Sequence, residues 1–375
     1  MNTIVFKTKI IPVMFILFLF CLPSYALFYN PNYKIFKINE LSYIRIGETK
    51  FGGYKQIGGP IFLWNGSFYV FWYLDAHNAY RWGNVKYGQK YFVKVNGVNF
   101  GPYTYLSDFG ISPSGNKFYY TYNIGGYLIN KNCHGGKWFV FIDYQILGPY
   151  EKVYGLKYSP QSDTPGFTFK LNNQYFIHIG GKLYGGYAFC SQPFFAESSD
   201  DFWFFYSNYK WDEKKEIKPE YICINGKIIG PCAHIQSPVF SPNGKIFGMI
   251  YNIGGIYSAK YGLEGGKYYV YLKNKTYGGF TGAHNLFFSP SGKYNGFLFY
   301  ENGKNYLVLN GKIYGGYEWV WRPIFSPDGL KFAYSYRTES GSFINYNGKI
   351  MPAPADFGNI EFDNKGNLII NPSQC

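Results

Sequence analysis

A pair of turn motifs, repeated at short intervals, constrains the fold of this chain more than any other feature. The clearest copy runs from Pro323 to Tyr336 (PIFSPDGLKFAYSY) and continues from Phe343 to Pro352 (FINYNGKIMP). Ser-Pro-Asp-Gly suits a tight turn because proline presets φ and glycine takes the last position without a steric penalty. Asn347-Gly348, between alternating apolar residues, is a strong β-hairpin signal. One unit is therefore four strands, a to d, with tight a–b and c–d turns.

The two turns recur in phase along most of the chain. The a–b turn returns as Ser-Pro at Ser112, Ser159, Ser241 and Ser289. The c–d hairpin ends in Gly-Gly-aromatic or Gly-Pro at Gly52, Gly101, Gly148, Gly185, Gly230, Gly278 and Gly315, at intervals of 37 to 49 residues. Four strands in a period of this length are typical of β-propeller blades. Seven whole units are predicted, at about residues 57–103, 106–150, 152–187, 189–232, 236–280, 284–317 and 320–352.

The two ends of the chain carry complementary half-units. Residues 43–54 match a second hairpin behind a lead-in at 27–40, and residues 359–370 match a first hairpin. Pairing of these halves in one blade would close a ring and cover its edge strands. We therefore predict an all-β fold, a β-propeller of eight four-stranded blades, closed where the N- and C-terminal hairpins pair. Seven blades is the alternative, if one degenerate unit does not form.

Two stretches, Phe325–Tyr334 (FSPDGLKFAY) and Phe240–Lys245 (FSPNGK), resemble the WD-repeat-like propeller units of TolB-type periplasmic proteins. The resemblance covers most of the chain after about residue 33 and implies a propeller fold. TolB-type proteins place an α/β domain before a six-bladed propeller, and this chain matches neither that domain nor that repeat count. The resemblance therefore extends to the repeat and the fold, and not to a role in the Tol–Pal envelope system.

The first 26 residues have the pattern of a secretory signal peptide. Lys7 and Lys9 precede the apolar run Ile10–Leu22, and Ser24-Tyr25-Ala26 offers small residues near a cleavage position. We predict export to the periplasm or the extracellular space, with residues 27–375 as a single β-propeller domain, a monomer without a further transmembrane segment. The alternative is an uncleaved N-terminal anchor.

The net charge and the cysteine content limit which partners and which disulfides are expected. The net charge is +14, but the basic residues are scattered and form no run, so nucleic acid is not an expected partner. One disulfide is a candidate in the fourth unit, among Cys190, Cys223 and Cys232, and spacing alone leaves its pairing open.

Two groups of residues are candidate ligand-binding positions. The first is a ring of side chains near the axial mouth, each four residues before a turn serine or its equivalent: Asp108, Gln192, Ser237, Asn285, Arg322 and Asn359. The second consists of neighbouring or loop tryptophans: Trp82, Trp211, Trp319 and Trp321. Aromatic rings beside a few polar groups suit a sugar or a peptide.

The extra residues of the longer units fall in the b–c connections, at 75–90, 123–137, 208–220 and 252–267, and two of these begin Tyr-Asn-Ile-Gly-Gly. Function favours loops on a rigid scaffold, so we expect the b–c and d–a face to bind. Neutral variation in loop length is the alternative.

These observations favour an exported, non-catalytic protein-interaction scaffold with a protein partner. A lectin-like glycan-binding propeller is the alternative, and a glycosidase-like enzyme with an axial site is the second alternative. The nearest hydrolase-like motif, residues 110–114 (GISPS), departs from G-x-S-x-G at its last position, and its serine belongs to a repeated turn. The histidines show no metal spacing, so neither metal nor cofactor is expected.

Overall fold

A computed structural model describes residues 33–63, 66, 68–75, 80–82, 84–142, 144–209, 220–258, 262–355 and 357–372. The predicted signal peptide, residues 1–26, lies outside these ranges. The chain divides into two compact units, unit 1 up to Pro193 and unit 2 from Phe194 onward. The described residues form strands and turns without an α-helix, and they hold no helical segment with the length and apolar character of a membrane span.

The described residues of unit 1 form nineteen strands. They are β1 (Tyr33–Ile38), β2 (Leu41–Ile46), β3 (Thr49–Tyr54), β4 (Gln56–Ile57), β5 (Ile61–Leu63), β6 (Phe68–Asp75), β7 (Tyr80–Trp82), β8 (Val85–Tyr87), β9 (Lys90–Val95), β10 (Val98–Tyr103), β11 (Tyr105–Ile111), β12 (Phe118–Ile129), β13 (Asn132–Ile142), β14 (Gln145–Tyr150), β15 (Lys152–Tyr158), β16 (Pro165–Leu171), β17 (Gln174–Ile179), β18 (Lys182–Tyr187) and β19 (Phe189–Cys190).

Unit 2 continues in the same pattern. Its strands are β20 (Phe194–Phe195), β21 (Phe202–Ser207), β22 (Glu220–Ile224), β23 (Lys227–Cys232), β24 (His234–Phe240), β25 (Phe247–Ser258), β26 (Gly262–Leu272), β27 (Lys275–Phe280), β28 (Gly282–Phe288), β29 (Asn295–Glu301), β30 (Lys304–Leu309), β31 (Lys312–Tyr317), β32 (Trp319–Val320), β33 (Ile324–Phe325), β34 (Phe332–Thr338), β35 (Gly341–Tyr346), β36 (Lys349–Pro352), β37 (Phe357–Phe362) and β38 (Leu368–Pro372).

These strands build one antiparallel sheet for each predicted unit, in the order a, b, c, d. Unit 1 holds blade 1 (β4 and β5, then β6, β9, β10), blade 2 (β11–β14) and blade 3 (β15–β18). Unit 2 holds blade 4 (β20–β23), blade 5 (β24–β27), blade 6 (β28–β31) and blade 7 (β32 and β33, then β34–β36). The predicted fold class, an all-β chain of β-propeller blades, is confirmed.

The N-terminal sheet differs from the prediction. Residues 33–38 are not a lead-in but strand β1, which pairs with β2 along its whole length, from Tyr33 opposite Ile46 to Ile38 opposite Leu41. β1 therefore occupies the edge of β2 that the predicted closing blade reserved for the C-terminal hairpin. β37 and β38 pair with each other as a two-stranded sheet. The blade count and the closure of a ring stay predictions.

Aromatic and branched side chains fill the faces between neighbouring blades. In unit 1, Val140 and Ile142 of blade 2 pack against Phe167 and Phe169 of blade 3. In unit 2, Leu307 of blade 6 packs in the same way with Phe332 and Tyr334 of blade 7. Both faces of the middle strands are covered, since five consecutive residues are buried at the start of β29 and of β34.

The a–b turns are fixed by their serines and touch the turn of the next blade. In blade 7, Ser326 N donates to Lys331 O at 3.2 Å and Gly329 N donates to Ser326 O at 2.7 Å. Ser291 Oγ of blade 6 donates to Gly329 O at 2.8 Å. A Cβ on Gly329 would lie 2.4 Å from Ser291 N, so glycine is needed for the close approach as well as for its φ of +67°.

The c–d turns are tied to the start of strand b by asparagine. Asn347, with φ of 49°, accepts a hydrogen bond at Oδ1 from Phe332 N at 2.8 Å, and its own N–H donates to Phe332 O at 3.0 Å. The same double contact is made by Asn96, Asn225 and Asn310. Asparagine adopts the left-handed region and caps a neighbouring N–H, so both turns of a blade are held at one end.

We expect Asn347→Ala to lower the free energy of unfolding by about 1–3 kcal/mol, because alanine loses a hydrogen bond and is strained at positive φ. Asn347→Gly removes the hydrogen bond without the strain and should fall between alanine and wild type. The midpoint of urea unfolding, with hydrogen exchange of the peptide that contains Phe332, measures both. Equal midpoints for the three proteins would contradict the asparagine tie.

Candidate functional site

Two long β-ribbons project from the b–c ends of blades 2 and 5. Strands β12 and β13 run on beyond the blade to Ile129 and Asn132, and β25 and β26 do the same to Ser258 and Gly262. The sequence predicted loops at 123–137 and 252–267, and this is wrong, because inter-strand pairing continues through both stretches. We call residues 123–137 ribbon 1 and residues 252–267 ribbon 2.

Each ribbon is fixed at its base by one buried asparagine. In ribbon 1, Asn123 Oδ1 accepts from Gly126 N at 3.0 Å, and Asn123 Nδ2 donates to Gly135 O at 3.1 Å. In ribbon 2, Asn252 makes the same bonds to Gly255 N at 3.0 Å and Gly265 O at 3.2 Å. The two asparagines are 0% and 1% exposed. A buried amide with its donor and acceptor both satisfied ties the two strands together and specifies one geometry.

Facing glycines make room for this lock. Gly254 and Gly266 of ribbon 2 have φ of +80° and +71°, and Gly125 and Gly136 of ribbon 1 have +81° and +65°. A Cβ on Gly266 would lie 2.3 Å from Asn252 Oδ1. The opening Asn-Ile-Gly-Gly by itself carries only half of the sequence signal. The closing Gly-Gly-Lys at 135–137 and 265–267, read together with it, would have predicted a continuous ribbon.

The ribbons carry exposed apolar side chains at equivalent positions. Ile124 and Tyr127 of ribbon 1 are 49% and 37% exposed, and Ile253 and Ile256 of ribbon 2 are 44% and 46% exposed. Tyr127 also stacks on His134 across the ribbon, with ring centroids 5.9 Å apart. Apolar groups of this size, presented twice on rigid supports, are suited to contact with another surface.

The b–c connection of blade 1 also forms strands rather than the predicted loop. β7 and β8 make a small hairpin, and β8 pairs with β12, with Val85 opposite Ile129 and Lys86 opposite Leu128. Ribbon 1 is therefore widened by a strand from the preceding blade. A cavity of about 240 Å³ lies beside this hairpin, between Tyr87, Thr104 and Gly126.

The predicted axial residues sit at an irregularity in strand a. The a–b register shifts between Ser107 and Gly110 in β11, Tyr154 and Lys157 in β15, Gln236 and Val239 in β24, and His284 and Phe287 in β28. Blades 1 and 7 have strand a in two pieces at the same place. The bulge aims one residue of each strand a away from the ladder. It was not predicted, because a non-glycine residue at positive φ leaves no clear sequence signal.

Asp108 occupies the bulge of blade 2 with φ of 48°. Thr121 Oγ1 donates to its Oδ2 at 3.3 Å, and Leu156 N of blade 3 also donates to the carboxylate. Solvent reaches the side chain, yet protein atoms surround most of it, and this burial raises the pKa of Asp108 against the opposing effect of both hydrogen bonds. No other carboxylate of the described residues contributes to the shift.

Gln192 neighbours the equivalent position of blade 3, which is Gly155. A Cβ on Gly155, whose φ is +68°, would lie 2.5 Å from Gln192 Cβ, so the glutamine stem covers this glycine. Asp108, Leu156, Gly155 and Gln192 thus form a chain of contacts within unit 1. The structure brings together these two of the predicted site residues through the intervening blade.

In unit 2, the predicted residues are exposed but less connected. Asn285 lies at the bulge of β28 with φ of 54°, and Arg322 lies between β32 and β33. Trp321, beside Arg322, is 64% exposed, and the half-buried Trp319 meets it edge to face at 5.8 Å between ring centroids. Asn359 accepts at Oδ1 from Asn371 Nδ2 at 2.9 Å, within the C-terminal hairpin.

The structure does not describe the side chains of three predicted site residues. The backbones of Trp82 in β7 and Ser237 in β24 are described without their side chains, and Trp211 lies outside the described residues. The described residues contain no group of three metal-ligating side chains. Whether any predicted site residue binds a ligand stays a prediction.

The candidate cysteines are free thiols in the structure. Cys223 pairs opposite Ile228 and Cys232 pairs opposite Glu220, so the two thiols stand three positions apart along the hairpin. That separation is roughly 10 Å, beyond the reach of a disulfide. Burial raises the pKa of Cys232 to about 12 and that of Cys223 to about 11, so both are protonated and unreactive near neutral pH.

Comparison with models of protein families and with curated proteins found no match. Among solved structures, the β-propeller domain of the Trilobed protease from Pyrococcus furiosus is similar at 13% identity, with a TM-score of 0.33, over 79% of this chain and 96% of that one. The Dos1 propeller is similar at 9% identity and a TM-score of 0.27, over 84% and 89%. TolB from Acinetobacter baumannii gives 9% identity and 0.23, over 72% and 77%. At these values the assignment of the fold rests on the repeated sheets of this chain.

We expect Gly266→Ala to open ribbon 2, because the methyl group would collide with Asn252 Oδ1 and Gly255 N. Hydrogen exchange of residues 253–258 should rise at least tenfold, while strand β24 stays protected. Gly265→Ala is the matched control, since Gly265 has a similar φ of +67° but no atom within 4 Å of an added Cβ. This control shows the effect of backbone strain alone, which is about 1–2 kcal/mol. Equal exchange in the two variants would contradict the asparagine lock.

The raised pKa of Asp108 predicts a pH dependence. The folded state binds this proton more tightly than the unfolded chain, so stability from this group falls as pH rises from about 4 through the folded pKa. Wild type should therefore lose stability relative to Asp108→Asn as pH increases, in thermal unfolding between pH ~3 and ~7. Asp163→Asn is a control of opposite sign: burial alone would raise the pKa of Asp163, but hydrogen bonds from Ser114 lower it. A constant difference for Asp108→Asn would contradict the shift.

Proposed function

We propose that this protein is an exported, non-catalytic interaction scaffold that binds a protein partner through ribbons 1 and 2. One observation carries the proposal: the chain builds the same asparagine and glycine lock twice, and each copy presents exposed apolar side chains beyond its blade. Nothing in the packing of a blade requires the extension, since blades 3, 6 and 7 turn from strand b to strand c directly.

The shape of these elements favours a protein over a small molecule. Small-molecule sites are concave and enclose most of their ligand. Ile124 and Ile253 instead stand on projecting ribbons, where only an extended surface can cover them. The lock also fixes each ribbon before binding, so a partner meets an ordered surface and less conformational entropy is lost on association.

Export is part of the proposal and is supported by the N-terminal sequence pattern. A positively charged start, a short apolar run and small residues near Ala26 are typical of a secretory signal peptide. The buried, protonated thiols of Cys223 and Cys232 are compatible with both the periplasm and the extracellular space, because the two thiols are too far apart to form a disulfide within their hairpin.

A glycan is the second candidate ligand, and one observation favours it. Trp321 is 64% exposed, lies beside the exposed Arg322 and is braced by Trp319. A flat indole next to a hydrogen-bond donor is the combination that stacks on a sugar ring and orients its hydroxyl groups. The glycosidase-like alternative has less support, because Asp108 has hydroxyl and backbone partners rather than a second carboxylate.

If the ribbons bind the partner, substitutions in either ribbon should remove the same proteins from the set that the wild-type protein captures. Affinity capture from envelope and extracellular extracts, read by quantitative mass spectrometry, should recover partners with wild type. Ile124→Ser/Tyr127→Ser and Ile253→Ser/Ile256→Ser should each reduce recovery of the same partners at least tenfold. Truncating exposed apolar contacts at an interface typically costs over 1 kcal/mol for the residues that matter.

The controls are Val98→Ser and Leu183→Ser, which remove comparably exposed apolar side chains from β10 and β18, away from the ribbons. They should leave recovery unchanged. Trp321→Ala, tested on a glycan array, separates the second candidate. If only glycans bind, and Trp321→Ala abolishes this binding while the ribbon variants do not, the scaffold proposal is wrong.

A further inference from the structure

The outermost strands of unit 2 begin with a repeated pair of exposed residues. In four successive blades, strand d opens with lysine followed by isoleucine or threonine: Lys227-Ile228, Lys275-Thr276, Lys312-Ile313 and Lys349-Ile350. All eight side chains are exposed, and the three isoleucines are 55%, 57% and 57% exposed. We call these four pairs the Lys-Ile rim. Its residues directly follow the c–d turns, and none of them belongs to a ribbon.

The contacts described above place the four pairs at one end of their blades. Each pair directly follows a c–d turn, and Asn225, Asn310 and Asn347 tie three of those turns to the start of strand b. The a–b turns at that end are themselves joined from blade to blade, by Ser199 Oγ to Gly244 O at 3.2 Å and by Ser291 Oγ to Gly329 O at 2.8 Å. The rim is therefore a fixed row of positions rather than a set of independent loops.

The charge along this row has one sign. The c–d turns and the starts of strand d hold lysines and no acid, and blade 5 adds Lys273. The nearby a–b turns contain acids, but Asp328 accepts from Ser326 Oγ and Leu330 N, and Asp363 accepts from the N–H groups of Lys365 and Asn367. Asp201 of blade 4 accepts from Ser199 Oγ in its own turn and from Asn225 Nδ2 in the c–d turn of the same blade. Hydrogen bonds engage these three carboxylates, and the charged side chains at the starts of strand d are all lysines.

We propose that the Lys-Ile rim docks unit 2 onto an anionic lipid surface. Basic side chains near such a surface gain about 1 kcal/mol each, and apolar side chains between them enter the boundary between headgroups and acyl chains. Lysine suits this task because its long stem lets the charge stay at the headgroups while neighbouring isoleucines insert. An anionic polymer is a poorer fit, since the rim pairs each lysine with an aliphatic group or threonine and contains no arginine. The tyrosine rings beneath Lys275 and Lys312 are half-buried and already covered by those lysines, so they offer no open stacking face.

The orientation that follows is specific. The Lys-Ile rim and ribbon 2 lie at opposite ends of the strands of unit 2, because the c–d turns and the b–c connections are at opposite ends of each blade. Docking through the rim directs Ile253 and Ile256 away from the lipid. The proposal stands independently of the ribbon hypothesis, since no residue is shared between the two surfaces.

Vesicle sedimentation of the full chain tests the proposal. Binding is expected to vesicles of phosphatidylcholine mixed with phosphatidylglycerol, to be at least tenfold weaker with phosphatidylcholine alone, and to fall as salt is raised from about 0.1 M, where the Debye length is ~10 Å. Lys312→Gln/Lys349→Gln should weaken partitioning about 30-fold, from two lysines at about 1 kcal/mol each. Ile313→Ser/Ile350→Ser should weaken it with the salt dependence unchanged.

Matched controls use the opposite end of the same blades. Lys267→Gln/Lys304→Gln removes the same charge from the b–c end, and Ile253→Ser/Ile256→Ser removes the same kind of apolar group from ribbon 2. Both should bind vesicles as wild type does. Circular dichroism establishes that each variant is folded. Equal losses in the rim and control variants, equal binding to neutral vesicles, or binding to heparin without binding to anionic vesicles would each overturn the proposal.

Discussion

The contact between the a–b turns of consecutive blades is the interaction on which the rest of the structure depends. A glycine at positive φ in one turn allows the preceding turn to approach within hydrogen-bond distance, as Ser291 does at Gly329. In unit 1 the corresponding contact joins Ser114 to Asp163. Each bond is worth only about 1 kcal/mol, but the series sets the spacing at which the aromatic faces of neighbouring blades interlock. The turn motif therefore specifies both the conformation of its own turn and the contact with the turn of the neighbouring blade.

Fixing one end of every blade leaves the other end free to differ. The a–b and c–d turns vary little in length, whereas the b–c connections run from a two-residue turn after Glu301 to the long ribbons of blades 2 and 5. The same division separates the two proposed surfaces. The regular end presents a repeated pattern, suited to an extended uniform surface, and the variable end presents two particular shapes, suited to a specific partner.

The turn motifs predicted the units, their strand order and the seven whole sheets, because proline, glycine and asparagine act locally. The features that the sequence did not predict depend on residues that are distant along the chain. Strand β1 has no turn motif ahead of it and is fixed by pairing with β2. The bulge at Asp108 requires a non-glycine residue at positive φ, held by Thr121 and Leu156 from other strands. The ribbons are predicted as loops because the extra residues of these units fall between strands b and c, whereas a buried asparagine preserves the strand pairing there.

The asparagine lock also separates support from recognition along each arm. Its hydrogen bonds run from one amide to backbone atoms, so the lock itself does not depend on which side chains stand farther out. The two arms already differ there, with Tyr127 in one at the position that Ile256 holds in the other. A substitution at the outer positions of one ribbon can therefore change the surface chemistry of that ribbon, while its asparagine lock and the sheet beneath it stay as they are.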